Sequence, residues 1–214
     1  MKVAVIGANG KIGTHVVEQL QHAKTHPVVA MVRKQAQVDG WKDQGVDARL
    51  LDLEGPVSDI EKAFEDIDAV IFTAGSGGAT GDDKTLMVDL DGAVKTMEAA
   101  HAVAADRFIL VSALQAHNRE HWNEDLLPYY VAKHYADKEL MRSELDWTIV
   151  RPGGLTDESS TEKVELAGNL GRGTIAREDV ARILIRCLDA DNTIGKHFDV
   201  LTGDQGVEAA VKAI

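Results

Sequence analysis

The stretch KVAVIGANGKIGTHVVEQL, residues 2–20, constrains this chain more than any other. An apolar, β-branched run stops at Gly7, and Gly10 and Gly13 follow at regular spacing. Ile12, Val16, Val17 and Leu20 then recur on one helical face. A strand must therefore turn sharply into a helix. Glycines at G-x-x-G-x-x-G spacing permit that turn and let a pyrophosphate approach backbone N–H groups. The helix N-terminus adds partial positive charge. Lys11 and Ile12 complete the turn, and Asn9 is placed to pin it through its side chain. With a strand before it and an amphipathic helix after it, the motif points to dinucleotide binding rather than to a purely structural turn.

The same rhythm continues. Apolar runs at 2–7, 27–33, 47–53, 68–75, 107–113 and 146–153 alternate with helical patterns over 11–23, 34–44, 56–65, 85–104 and 129–144. Nearly continuous apolar strands suit burial on both faces, as in a parallel sheet covered by helices, so the expected fold is a doubly wound α/β sheet. After residue 150 the pattern changes. Residues 153–175 and 113–128 read as long loops over the strand ends, where open α/β sheets bind ligands. A further helix (REDVARILIRCLD), a late strand (KHFDVLTG) and a short helix at 206–213 follow. The expectation is one domain over 1–214, with a small, loop-rich C-terminal lobe formed mainly by 153–175 together with loop 113–128.

Composition narrows the partners. The 214 residues carry 23 basic and 35 acidic side chains, a formal charge of −12. Such a surface repels phosphate backbones, so neither nucleic acid nor an anionic membrane is expected as a partner. One cysteine, Cys187, excludes a disulfide framework and reads as a buried thiol. No apolar run approaches the roughly 18 residues of a membrane span. The first residues do not read as a signal peptide, which points to a cytoplasmic protein. The second strand ends in AMVRK, with no carboxylate to meet an adenosine ribose. Arg33, followed by Lys34, instead suits a 2′-phosphate, which favours NADP(H) over NAD(H).

Several segments, in order along nearly the whole chain, resemble the short-chain dehydrogenase/reductase superfamily. They are GANGKIG, LLDLEG, FTAG, LVSA, YYVAK, TIVRPGGL and IAREDVA. More narrowly they look like its atypical NAD(P)-binding branch, with flavin/biliverdin reductase-type and nitrogen-regulator-type members. The resemblance implies a Rossmann-type fold and a set of roles. Asp52 would meet the adenine amino group and Leu53 its ring. Ala74 and Gly75 would line the adenosine side. Ser112 would stand near the nicotinamide, and backbone at Pro152, Gly153 and Gly154 would meet its carboxamide. Tyr129 and Lys133 occupy the Y-x-x-x-K positions. There Lys133 would hold the nicotinamide ribose and lower the tyrosine pKa, and Tyr129 would donate a proton to the acceptor oxygen. Tyr130, equally near Lys133 by helical spacing, is assigned to packing.

The chain departs from the pattern in two places. One residue beyond Ser112, where the sugar-epimerising branch carries a hydroxyl, stands Ala113. The helix-four Asn is replaced by Asp89, which would orient backbone or Lys133. His117 and His121 lack a third metal ligand and, with Trp122, are assigned to the pocket mouth, so no metal is expected. His134 reads as a helix-face residue. The acidic run TDESSTEK (156–163) reads as a solvated loop able to close over substrate, with Gly153, Gly154 and Gly168 as hinges. The resulting expectation is a reductase passing hydride from NADPH to a small carbonyl, quinone or flavin-like acceptor. The alternatives are a non-catalytic NADP(H) sensor and, behind it, a nucleotide-sugar epimerase.

Overall fold

The computed structural model describes residues 1–78 and 80–214. The six expected strands form: β1 Val3–Ile6, β2 Val28–Val32, β3 Asp47–Leu50, β4 Ala69–Phe72, β5 Arg107–Val111 and β6 Asp146–Pro152. Three short strands follow, β7 Gly154–Thr156, β8 Lys163–Ala167 and β9 Thr174–Ala176, then β10 Lys196–Thr202 and β11 Gln205–Gly206. The main sheet has nine strands in the order β11-β8-β10-β6-β5-β4-β1-β2-β3. From β3 to β10 every pairing is parallel, while β8 runs antiparallel to β10 and β11 antiparallel to β8.

Residues 153–175 were expected to be loop, and the structure corrects this. Val164 is fully buried, and β8 extends the sheet beyond β10. Here the segment alternates, Val164 inward and Glu165 outward, so it covers one face while leaving charged residues to solvent. β7 and β9 pair separately as a small parallel ribbon.

Helices cover both faces. On one lie α1 Lys11–Ala23, α2 Gln35–Asp43, α7 Arg177–Leu188 and α8 Val207–Lys212, around Val5, Val16, Leu20, Ile183 and Phe198. On the other lie α3 Val57–Ala63, α5 Ala93–Ala102 and α6 Leu127–Arg142, around Ile6, Phe64, Phe72, Leu110 and Leu140. α1 buries Ile12, Val16, Val17 and Leu20, the stripe its sequence spacing lays on one side. It stops at Lys24, whose left-handed backbone returns its N–H to the Leu20 carbonyl.

The helix expected over 85–104 begins earlier and is not uniform. A short α4, Asp82–Lys84, leads into a π-helical run, Thr85–Gly92, before α5. The strand order reverses between β1 and β4, and ligands in open α/β sheets bind at the carboxyl ends of strands at such a switch. A cleft of about 1380 Å³ opens there, lined from Thr73 to Gly78, by Ser112, Tyr129 and Lys133, and by the lobe at 169–173.

Candidate functional site

The glycine turn is built by close approach. Gly7 has φ +79°, and a Cβ there would stand 2.7 Å from the Ala74 Cα. A Cβ on Gly13 would lie 2.3 Å from the Gly7 carbonyl oxygen. The Gly10 N–H donates to that oxygen at 2.8 Å, and Thr73 ties the ends of β1 and β4 together by donating its hydroxyl to the Ile6 carbonyl at 2.8 Å. No side chain caps α1. Its first N–H groups therefore remain available to an anion, as a dinucleotide phosphate requires. Asn9 is exposed and makes no side-chain hydrogen bond among the described residues, so backbone packing rather than Asn9 holds the turn.

The side that the resemblance assigns to adenosine is more open. Arg33 is exposed just beyond β2 and makes no hydrogen bond or ion pair among the described residues. Asp52 accepts the Glu54 N–H at 3.0 Å, and Leu53 packs where Gly92 leaves room, 3.1 Å from a Cβ placed there. Neither residue lines the main cleft, whereas Ala74 and Gly75 do.

The centre of the cleft is Lys133, 4% exposed. Its ammonium donates to the Val111 carbonyl at 3.3 Å and lies 3.2 Å from Asp89 Oδ1. Asp89, 1% exposed, turns its other oxygen to the Ser76 N–H at 2.9 Å. The π-helical run carries Asp89 to this position, and one carboxylate joins the β4 turn to α6. Lys133 has three donors, gives one to Val111 and is paired with Asp89, which leaves a donor for a ligand. Burial disfavours its charge, but Tyr129 and Asp89 outweigh that and raise its pKa. Tyr129 is partly buried, with the Lys133 ammonium 5.6 Å from its ring centre. Burial raises the Tyr129 pKa, and Lys133 opposes that without overcoming it. The lysine thus acts in the expected direction, yet the net shift is upward.

Ser112 Oγ is buried and has no hydrogen-bond partner among the described residues. It stands beside Asp137, whose Oδ2 accepts from Arg151 Nε at 2.9 Å. Burial raises the Asp137 pKa, with Arg151 opposing. Arg151, wholly buried, also donates to His197 at 3.0 Å. This pair was missed in the sequence, where Arg151 is one cation inside an apolar run. At 152–154, the Gly153 and Gly154 N–H groups already donate to Val200 and Gly173. Any backbone contact to a carboxamide there would use a carbonyl oxygen.

Loop 113–128 is folded, with helical turns at Arg119–His121 and Glu124–Leu126. His121 and Trp122 line the cleft, but His117 does not; it turns towards His197, ring centres 6.2 Å apart. His134 is buried rather than surface-facing, and its Nδ1–H donates to the Ala116 carbonyl at 2.8 Å. Trp122 stacks on Tyr130 at 5.9 Å, so the packing assigned to Tyr130 forms a cleft wall. The acidic run is anchored. Asp179 accepts the Thr161 and Glu162 N–H groups at 3.0 Å, and Asp157 pairs with Lys11 and Arg177 at 2.5 Å each. Cys187 is buried, its pKa pushed up to about 12 by desolvation. Among the described residues no group of three or more His, Cys, Asp or Glu is placed to hold a metal, and no helix is long and apolar enough to cross a membrane.

Known proteins share this architecture. A family model described as NAD(P)H-binding matches residues 7–191. A Bacillus subtilis protein named an uncharacterized sugar epimerase is 53% identical over 214 residues, covering 100% of both chains. The solved structure of a putative NAD-dependent epimerase/dehydratase from Bacillus halodurans is 41% identical, with TM-score 0.94 and 100% of both chains covered. An anaerobillin reductase from Escherichia coli O157:H7 is 24% identical, with TM-score 0.81 over 95% of this chain and 98% of its own, and shares the fold. The uncapped glycine turn, the strand-order switch and the family match over 7–191 agree: this chain belongs to the NAD(P)H-binding family with an oxidoreductase-like Rossmann fold.

Proposed function

We propose that the protein is an NADPH-dependent reductase acting on a small carbonyl, quinone or flavin-like acceptor. The observation that carries this reading is the buried Lys133–Asp89 pair under Tyr129, in the cleft where the glycine turn ends. The residues present fit a dinucleotide: Gly7 and Gly13 permit the tight strand-to-helix turn by close backbone packing, and the α1 N–H groups it presents are uncapped. Bound NADPH would supply hydride. Lys133 would give its remaining donor to the ribose, and Arg33 would bind the 2′-phosphate. Ser112 would orient the acceptor or the carboxamide. Tyr129, kept protonated by burial, would release its proton only to an oxygen made basic by reduction.

The relatives' names favour a second reading, epimerisation of a sugar. Ala113 lines the cleft where that chemistry carries a hydroxyl, which supports the reductase instead. A non-catalytic sensor would bind cofactor without turnover.

One set of titrations separates the three. Wild type should bind NADPH more tightly than NADH and oxidise it with quinones, flavins or aldehydes. Arg33→Ala should weaken NADPH about tenfold, in line with the loss of one charge-assisted contact, and leave NADH unchanged. Tyr129→Phe should slow aldehyde reduction about 10²-fold or more, while a quinone or flavin that takes its proton from solvent is spared. Binding with no oxidation of either cofactor by any acceptor would remove the reductase reading.

A further inference from the structure

We propose that the acceptor is a planar ring bearing a negatively charged group, with the ring against Trp122 and Tyr130 and the charge on Arg172. The proposal rests on the reductase reading for the direction of chemistry, but not for the binding itself.

Among the described residues, Arg33 and Arg172 are the two arginines with no hydrogen bond or ion pair. Arg49, Arg107, Arg119, Arg142, Arg151, Arg177, Arg182 and Arg186 all have partners. Arg172 is exposed, and in a chain with 35 acidic side chains a cation left unpaired along a cleft wall is informative. Arg33 belongs to the adenosine end. Arg172 lines the main cleft at the lobe end, with Trp122, Tyr129 and Tyr130. Its charge lowers the Tyr130 pKa against the upward push of burial.

The loop presenting Arg172 is held by buried groups. Asp199, wholly buried, accepts the Leu170 N–H at 3.0 Å. Gln115, 7% exposed, donates to the Asn169 side chain at 2.7 Å and to the Leu170 carbonyl. On the far side, Gly173 accepts the Gly154 N–H at 2.9 Å and packs on Leu201. Both flanks of Arg172 are thus anchored to the sheet, which pre-organises the side chain's base rather than leaving it on a free loop.

The aromatic wall is equally built. Trp122 and Tyr130 stack with 16° between planes, Tyr129 meets Tyr130 edge-on at 71°, and the Trp122 N–H donates to the Ala116 carbonyl at 3.3 Å. Aromatic faces take flat rings, and a guanidinium takes carboxylate or another oxyanion in a fork. The cleft, about 1380 Å³, exceeds the roughly 300–1,000 Å³ of one small-ligand site, so a cofactor leaves room for such a ring.

The test uses the whole protein saturated with NADP⁺ and two probes that share one ring, anthraquinone-2-carboxylate and 2-(hydroxymethyl)anthraquinone, titrated by tryptophan fluorescence. Wild type should bind the carboxylate about tenfold more tightly, and the preference should shrink with added salt. Arg172→Gln should erase the preference, Arg172→Lys should retain part of it, and both should bind NADP⁺ as wild type does. Equal affinity for the two probes in wild type, no binding of either, a preference that survives Arg172→Gln, or a loss of NADP⁺ affinity in that variant would each overturn the proposal. Charge-selective binding without NADPH oxidation would leave it standing while the reductase reading fails.

Discussion

At the scale of single residues, Asp89 does what the family's asparagine could not do in the same way. An amide there could accept the Ser76 N–H, but only a carboxylate also neutralises Lys133 inside the protein. Removing one member of a buried ion pair leaves the other charge uncompensated. Asp89→Ala should therefore cost about 3–5 kcal/mol in urea unfolding and weaken cofactor binding. Asp89→Asn should keep the turn at Ser76 and lose the charge, giving a smaller loss. Gly13 has a different vulnerability. A methyl group there meets the Gly7 carbonyl at 2.3 Å, backbone against backbone, so Gly13→Ala should cost about 1–3 kcal/mol and abolish dinucleotide binding in a fluorescence titration. The turn at Gly13 is legible from local spacing, and Lys133 is singled out by the resemblance of YYVAK to the Y-x-x-x-K pattern. The Asp89–Lys133 contact is not, because it joins two segments that meet only after the sheet has formed.

At the scale of elements, three histidines from loop 113–128, α6 and β10 contribute to the pH dependence of stability. His117, His134 and His197 all have pKa values lowered by burial, with Arg151 adding to the effect at His117 and His197. Around His134, Arg119 and Lys138 push the same way, while the bond to Ala116 and the charge of Asp137 oppose it. An unfolded histidine takes up a proton near 6.5 and the folded ones only at lower pH. Between those points the unfolded chain holds more protons, so these residues reduce stability as pH falls through 6.5. Asp137 and Asp199, both raised chiefly by burial, act in the opposite sense, and so a variant must isolate the histidine effect. His134→Gln can still donate to Ala116 and cannot titrate. It should show a smaller fall in melting temperature than wild type between about pH 7.5 and about 5.5. An equal fall in both would assign the dependence elsewhere.

At the scale of the whole molecule, the lobe is stitched to the sheet rather than hinged from it. β8 pairs with β10, Asp179 holds the acidic run, and Asp157 bridges the glycine turn to α7. Gly153 sits at the junction, where a Cβ would stand 2.4 Å from a Leu201 methyl and 2.6 Å from the Gly173 carbonyl. Gly153 is therefore a packing glycine more than a hinge. Gly153→Ala should lower stability by about 1–3 kcal/mol in chemical denaturation. It should also shift the loop that presents Arg172, weakening acceptor binding more than cofactor binding.

The amino-acid sequence determined the parallel core, the order of its helices and the turn at Gly7–Gly13, because those depend on periodicity and on backbone freedom over short spans. Apolar runs such as VAVI and AVIF have few fates other than buried parallel strands between helices. Tertiary structure decided the rest. The short, mixed segments from 153 to 175 gain strand structure only by pairing with β10, which their own pattern does not announce. Asp89 with Lys133, Asp137 with Arg151, and Gln115 with the loop before Arg172 are partners distant in the chain. Buried charges must be paired, and the sheet brings the partners together, so which charge meets which is settled by topology rather than by local pattern.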